Sequence, residues 1–295
     1  MSPERVDKAW HTKGIEKYST AAILGSLTHY GVPLTEESFL ALAKEDFPLT
    51  IALGWHEAWK GTGQFSRFPG AAAEELWRRL KGGEPAPTDL ALALIDLLTA
   101  LDAVLAQKPD DGTLEARFTI VDGSLPRLPP EGDRREKFMA EMVGALGEWL
   151  NVLDGMAEAL AKKGLALADR FVTLEEALFP VRQGTATALV KAAKGDQYGA
   201  LVDLRLIAAD AKRDDFTRLT AIDGLFQFEQ LDDAKTALLE LMERAEKERD
   251  VELAAELVER LAHLLKVDPK RADRAELRTR VEQLARVLNE ANEEG

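Results

Sequence analysis

The stretch from residue 54 to residue 70, GWHEAWKGTGQFSRFPG, concentrates side chains that could do chemistry. His56 stands beside Glu57, and both residue types act as general acids or bases in enzymes. Lys60 precedes Gly-Thr-Gly, a combination that could face a phosphate group. Two tryptophans and two phenylalanines surround these polar residues. The stretch could therefore be an active site, a phosphate-binding loop or a hydrophobic corner that also carries polar residues.

A metal centre is disfavoured by the histidine spacing. His56-Glu57 matches the start of the His-Glu-x-x-His pattern of zinc proteases, but Lys60 stands where the second histidine is needed. The other histidines have no ligand-type spacing to it, no Glu-x-x-His pairs of the di-iron kind occur, and the chain has no cysteine. The sequence predicts no metal site and no cofactor.

Phosphate-loop and nucleophile motifs are also missing. A P-loop places its lysine after the glycines and between a strand and a helix, whereas Lys60 comes first and follows a helical pattern. The chain contains no Gly-x-Ser-x-Gly elbow. The glycines are typical of a helix end and its turn, so no catalytic residue is predicted.

The aromatic residues of this stretch have helical spacing. Trp55 and Trp59 lie four residues apart, so they share one helix face, and Trp77 belongs to the next predicted helix. The first interpretation is a structural corner that locks the two helices together. The alternative is an aromatic groove that binds a partner, because tryptophan and arginine anchor many protein interfaces. The candidate interface residues are Trp55, His56, Trp59, Lys60, Phe65, Arg67 and Phe68.

Composition and charge limit the partners. The chain has 38 basic and 52 acidic residues and a net charge of −14. No basic run is present, which argues against binding to nucleic acid or to an anionic membrane. No stretch resembles a signal peptide or a membrane span, and the lack of cysteine fits a reducing compartment. We expect a cytoplasmic protein whose partner is another protein; its oligomeric state is left open.

Residue usage predicts an all-α fold of packed helical hairpins. Alanine, leucine, glutamate and arginine favour helices, and runs of alternating β-branched residues are almost absent. Three regions are expected: an N-terminal helical region (1–108), an irregular Pro/Gly-rich connection (109–134) and a helical-repeat region (135–295). The connection contains ARFTIVD, the one fair strand candidate. Within the helical regions, predicted helices cover 19–31, 34–47, 49–61, 69–83, 86–108, 135–164, 165–179 and 184–194. Thr88 or Asp89 is predicted to cap the helix over 86–108.

A spacing of 18 residues marks the last third. Asp196, Asp214, Asp232, Asp250 and Asp268 recur at this interval, each before a helical pattern, and are predicted to cap helix starts. Two such units make a hairpin of about 36 residues, which resembles tetratricopeptide and other α-solenoid repeats. The tetratricopeptide signature of Trp, Leu-Gly and Tyr is missing, so the resemblance transfers no functional residues.

The sequence thus favours a non-catalytic protein-interaction module, such as an adaptor, a regulator or an immunity-type protein. Solenoids offer broad binding surfaces, and no catalytic motif was found. One alternative is an enzyme or small-ligand-binding protein that uses His56, Glu57, Lys60 and Arg67 around the tryptophan pair. A second alternative is a transcription regulator with helix-turn-helix character in residues 19–60, against which the acidic charge argues.

Overall fold

A computed structural model describes residues 14–62, 67–107, 114–130 and 132–294, with side chains as far as residue 286. Over these residues the chain forms fifteen α-helices and no strand, so the all-α prediction is confirmed. Short 3₁₀ helices cover Ile15–Lys17, Leu125–Arg127 and Pro180–Arg182. The chain divides into two compact units, one through residue 154 and one from residue 155 onwards.

The first unit contains seven helices and the start of an eighth. They are α1 (Thr20–His29), α2 (Glu36–Glu45), α3 (Pro48–Gly54), α4 (Phe68–Leu80), α5 (Pro87–Leu105), α6 (Leu114–Asp122), α7 (Asp133–Leu146) and α8 (Trp149–Lys162).

Local signals start the first two helices. The Ser19 hydroxyl accepts a hydrogen bond from the Ala22 N–H at the start of α1. At α2, Thr35 and Ser38 form a reciprocal capping box, in which each side chain accepts from the other residue's backbone N–H. These bonds satisfy N–H groups that the helix itself leaves unpaired.

A distant side chain starts α3. Its N-cap residue is Phe47, which has no side-chain oxygen to offer. The buried Glu141 carboxylate on α7 takes that role and accepts from the N–H groups of Leu49, at 3.3 Å, and Thr50, at 2.9 Å. The negative charge of this carboxylate also interacts favourably with the positive end of the α3 dipole. Helix α7 therefore packs within the first unit and also positions α3.

The strand predicted within 109–134 was wrong, because residues 114–122 form helix α6. A strand would place Phe118 and Ile120 on one face. Instead Phe118 and Val121, three residues apart, are fully buried, and Ile120 is 57% exposed. This burial follows the helical period. Helices α5 and α7, on either side of the segment, pack against each other, and the segment lies within the first unit.

Three other boundary predictions need correction. The predicted helix 49–61 ends at Gly54 and continues as a turn. Helix α5 begins with Pro87 at its first turn and has no side-chain cap, so neither Thr88 nor Asp89 caps it. The predicted helix 135–164 is two helices, because Gly147 adopts a positive φ of 52° between α7 and α8.

The second unit is a stack of helices connected in sequence order. They are α9 (Leu167–Leu178), α10 (Thr185–Ala193), α11 (Gln197–Ala209), α12 (Asp215–Gln227), α13 (Leu231–Glu248), α14 (Val251–Val267) and α15 (Arg274–Glu294). Each packs against the next, and α10 with α12, α11 with α13, and α13 with α15 also meet. This pattern is consistent with a helical repeat. One continuous leucine- and alanine-rich core runs from α10 to α15.

Three of the five regularly spaced aspartates cap helices. Asp196, Asp214 and Asp250 accept hydrogen bonds from backbone N–H groups at the starts of α11, α12 and α14. The prediction is wrong for Asp232, which lies inside the first turn of α13 after the N-cap Gln230, and for Asp268, which ends α14. The repeat is therefore regular in its packing and irregular in its capping.

Replacing Asp250 with alanine is expected to lower the free energy of unfolding of the second unit by about 1 kcal/mol, because the first turn of α14 loses its cap. Asp232→Ala, a matched change at a side chain that caps nothing, is expected to cost less than about 0.5 kcal/mol. Urea unfolding of the full chain followed by far-UV circular dichroism measures both. Equal losses for the two variants would contradict the assigned caps.

Candidate functional site

The tryptophan stretch forms a packed corner of the first unit. Trp55 is 7% exposed, with its ring centroid 6.5 Å from that of Phe39 on α2. Trp59 is half-buried between two rings: Tyr30 lies 5.0 Å away in a tilted arrangement, and the fully buried Phe68 is stacked at 5.7 Å. These contacts join α1, α2 and the turn after α3 to the start of α4.

A backbone contact fixes the turn that carries Trp59. The Lys60 N–H donates to the Tyr30 carbonyl at 2.8 Å. Gly31 has a φ of +102°, and a Cβ on it would collide with the Ala58 carbonyl oxygen. Only glycine fits this conformation and this close approach without strain. The corner is thus specified by backbone geometry as well as by its aromatic rings.

The polar residues of the stretch do not converge. His56, Glu57, Lys60 and Arg67 are all exposed, and none makes a side-chain hydrogen bond or an ion pair with another described residue. Phe65 lies outside the described residues. Of the candidate interface residues, therefore, the aromatics Trp55 and Phe68 lie in the core, Trp59 is half-buried, and the three basic side chains His56, Lys60 and Arg67 stand at the surface.

A second candidate surface lies on α11 in the second unit. Tyr198 is 78% exposed and Leu206 is 64% exposed, and the half-buried Val202 lies midway between them. Residues four apart on a helix lie on the same side, so these three residues form one strip, here called the α11 surface. The opposite side of α11 supplies the core residues Ala200, Leu204, Ile207 and Ala208.

A groove of about 190 Å³ runs beside the α11 surface, between α11 and α13. Ala208, Ala209, Leu225 and Ala237 give it small apolar walls. At its rim Arg205 donates to Asp233, at 2.7 Å, and to Gln230, at 2.9 Å. The remaining lining residues are Thr236 and Glu240. The groove combines apolar walls with polar lining residues, as protein-binding surfaces commonly do.

A buried arginine holds the end of α11 in place. Arg218 of α12 donates through Nε to the Ala208 carbonyl at 2.8 Å and through Nη2 to Glu240 at 3.2 Å. The nearby Asp215 accepts from Arg244 at 2.9 Å. Burial raises the pKa of Asp215, and the charges of Arg244 and Arg218 oppose that rise. These contacts join α11, α12 and α13, so they stiffen the wall of the groove.

Another groove, of about 500 Å³, lies between α12 and α14. Arg260 donates to both carboxylate oxygens of Asp223, at 2.9 and 2.7 Å, and to Glu256 at 2.5 Å. The rings of Phe226 and His263 meet edge to face at 5.2 Å. Gln227 and Glu259 complete the lining. We call this the α12–α14 groove.

Sequence reasoning missed both grooves and the α11 surface. The 18-residue spacing indicates that α11 belongs to a repeat, but it does not separate Tyr198 and Leu206 from the core residues of that helix. A helical projection would have separated them, since the core stripe 200, 204, 207 and 208 excludes positions 198 and 206. Two large apolar residues outside the core stripe of an amphipathic helix are the signal that could have found this surface.

Among the described residues, no three His, Asp or Glu side chains are grouped so that they could hold a metal ion. No helix in that part of the chain combines the length and apolarity needed to cross a membrane. No family model matches this chain, and no curated protein or solved structure matches it.

Proposed function

We propose that this protein is a non-catalytic protein-interaction module and that its partner binds the α11 surface. The observation that carries the proposal is the exposure of Tyr198 and Leu206 on one side of α11, next to an apolar groove. Exposed apolar surface beside a polar rim is typical of sites where proteins bind. An adaptor, a regulator or an immunity-type protein would present such a surface.

The chemistry of the α11 surface fits an interface. A single exposed leucine on a protein has no special meaning. Tyr198 and Leu206, however, are large side chains on one strip, and tyrosine gives much contact area with few rotatable bonds. An apolar side chain of the partner would be accommodated between the small walls formed by Ala209 and Ala237.

The rigidity of α11 also supports the proposal. The helix begins at the Asp196 cap and its last turn is held by Arg218. Binding to a surface that is already ordered costs less conformational entropy than binding that must first order a loop. We assign the framework to the tetratricopeptide-like class of α-solenoids on the basis of the 18-residue spacing and the alternating helix contacts. We propose a structural role for the corner around Trp59 and a cytoplasmic location for the protein.

Capture of the partner from an extract of the source cells tests the surface. A Tyr198→Ser, Leu206→Ser double variant is expected to retain less than about one tenth of the partner that the wild type captures, because central apolar anchors each contribute about 2 kcal/mol or more. The matched control is Val251→Ser, Val267→Ser, which removes exposed apolar side chains at the two ends of α14. Undiminished capture by the first double variant, or equal loss in both, would contradict the proposal.

A further inference from the structure

We infer that the α12–α14 groove binds an arginine-bearing segment of a partner protein. This second site shares with the proposed function only the premise that the chain binds proteins, and it uses none of the residues of the α11 surface. The inference rests on the charge, the aromatic edge and the shape of the groove.

The groove carries more negative than positive charge. Asp223, Glu256 and Glu259 contribute three carboxylates, and Arg260 is the one lysine or arginine among its lining residues. Arg260 is bonded to Asp223 and Glu256, whereas the exposed Glu259 makes no ion pair with any described residue. A concave surface of one charge sign concentrates the field and attracts the opposite charge. The groove is therefore complementary to a basic side chain.

Several other carboxylates of the second unit are paired with cations. Asp233 pairs with Arg205, Asp215 with Arg244, and Asp273 with Lys235. In the α12–α14 groove, Arg260 serves two carboxylates, and Glu259 has no cation among the described residues.

An aromatic edge favours arginine over lysine. The half-buried Phe226 and the exposed His263 stand together at the groove wall. A guanidinium is planar, stacks on ring faces and is more weakly hydrated than an ammonium group. The groove already holds one guanidinium, since Arg260 donates to both oxygens of Asp223 and lines the same groove as Phe226. A second guanidinium would find Glu259 and the ring edge beside it.

The shape of the groove fits a segment of chain. It has a volume of about 500 Å³, is open to solvent and follows two neighbouring helices. Pockets of this volume have room for several side chains of a ligand rather than for a single ion. An arginine flanked by apolar residues would place its charge near Glu259 and its neighbours near Phe226.

Fluorescence anisotropy of the full-length chain with a labelled probe peptide tests this site. The probe is a short fluorescein-labelled peptide with three arginines and one tyrosine among alanines, at about 0.15 M salt, where distant charges are largely screened. We expect Glu259→Gln to weaken its binding about fourfold, as for loss of one partly exposed ion pair. The matched control Glu243→Gln removes an equal charge from an exposed site on α13 and is expected to change affinity less than about 1.5-fold.

Two further measurements make the result specific. A counterpart peptide with lysine in place of arginine is expected to bind more weakly, and the Tyr198→Ser, Leu206→Ser variant is expected to bind the arginine peptide as well as the wild type does. No binding by the wild type would overturn the inference. Equal weakening by Glu259→Gln and Glu243→Gln would also overturn it, because the attraction would then come from the net charge of the chain.

Discussion

Replacing Phe68 with alanine is expected to lower the free energy of unfolding of the first unit by about 3–5 kcal/mol. The Phe68 ring is fully buried and stacks on Trp59 at the point where α4 begins. Its removal would leave a cavity that the surrounding helices cannot fill, and it would free the turn that Trp59 pins against Tyr30.

The neighbouring residue provides the control for this prediction. Arg67 is exposed, so Arg67→Ala is expected to change the free energy of unfolding by less than about 0.5 kcal/mol. Urea unfolding followed by tryptophan fluorescence reports the first unit specifically, because all five tryptophans precede residue 155. A loss below about 1 kcal/mol for Phe68→Ala would show that the corner is not core.

Replacing Arg218 with alanine is expected to destabilise the second unit by about 3 kcal/mol. The change removes a buried guanidinium that donates to the Ala208 carbonyl and to Glu240. It would leave that carbonyl without its donor and would reduce the positive charge near the Asp215 carboxylate. A buried acceptor without a partner loses solvation that nothing replaces.

An exposed arginine of the same unit is the matched control. Arg205 is partly exposed and pairs with Asp233 at the surface, so Arg205→Ala is expected to cost less than about 1 kcal/mol. Far-UV circular dichroism during urea unfolding measures both variants, and tryptophan fluorescence should remain unchanged because the second unit contains no tryptophan. Equal costs for the two variants would contradict the role assigned to Arg218.

Local signals in the sequence were sufficient to locate the starts of the helices that have a capping side chain at their own N-terminus. Five cap side chains accept hydrogen bonds from N–H groups no more than three residues away: Ser19, Thr35, Asp196, Asp214 and Asp250. Sequence spacing alone therefore locates these caps. Helix α3 could not be placed in this way. Its cap, Glu141, is more than ninety residues distant along the chain and is brought there only by packing.

The strand prediction for ARFTIVD failed because the segment is too short for its periodicity to distinguish a strand from a helix. ARFTIVD contains β-branched and aromatic residues, which favour a strand, but it lies in α6, a helix of only nine residues. Packing against α5 decided the outcome. Composition is a weak guide for such segments, because tertiary contacts readily override intrinsic preference.

The tryptophan corner was anticipated as a structural feature, and its aromatics do pack between helices. Its contact between Gly31 and Ala58 could not be predicted, because it depends on the path of two separate turns. The two grooves were also hidden in the sequence. Each is formed between helices that are not consecutive, so its walls become neighbours only in the stack.

Site-specific photo-cross-linking tests the central claim most directly. A benzophenone amino acid placed at position 198 of the full-length chain, in the source cells, is expected to form a discrete adduct with one protein. The same group at position 267, an exposed apolar position at the end of α14, is expected to form none. An adduct at 198 that disappears with the Leu206→Ser change would establish a protein bound at the α11 surface. No adduct at 198, or the same adducts from both positions, would contradict it.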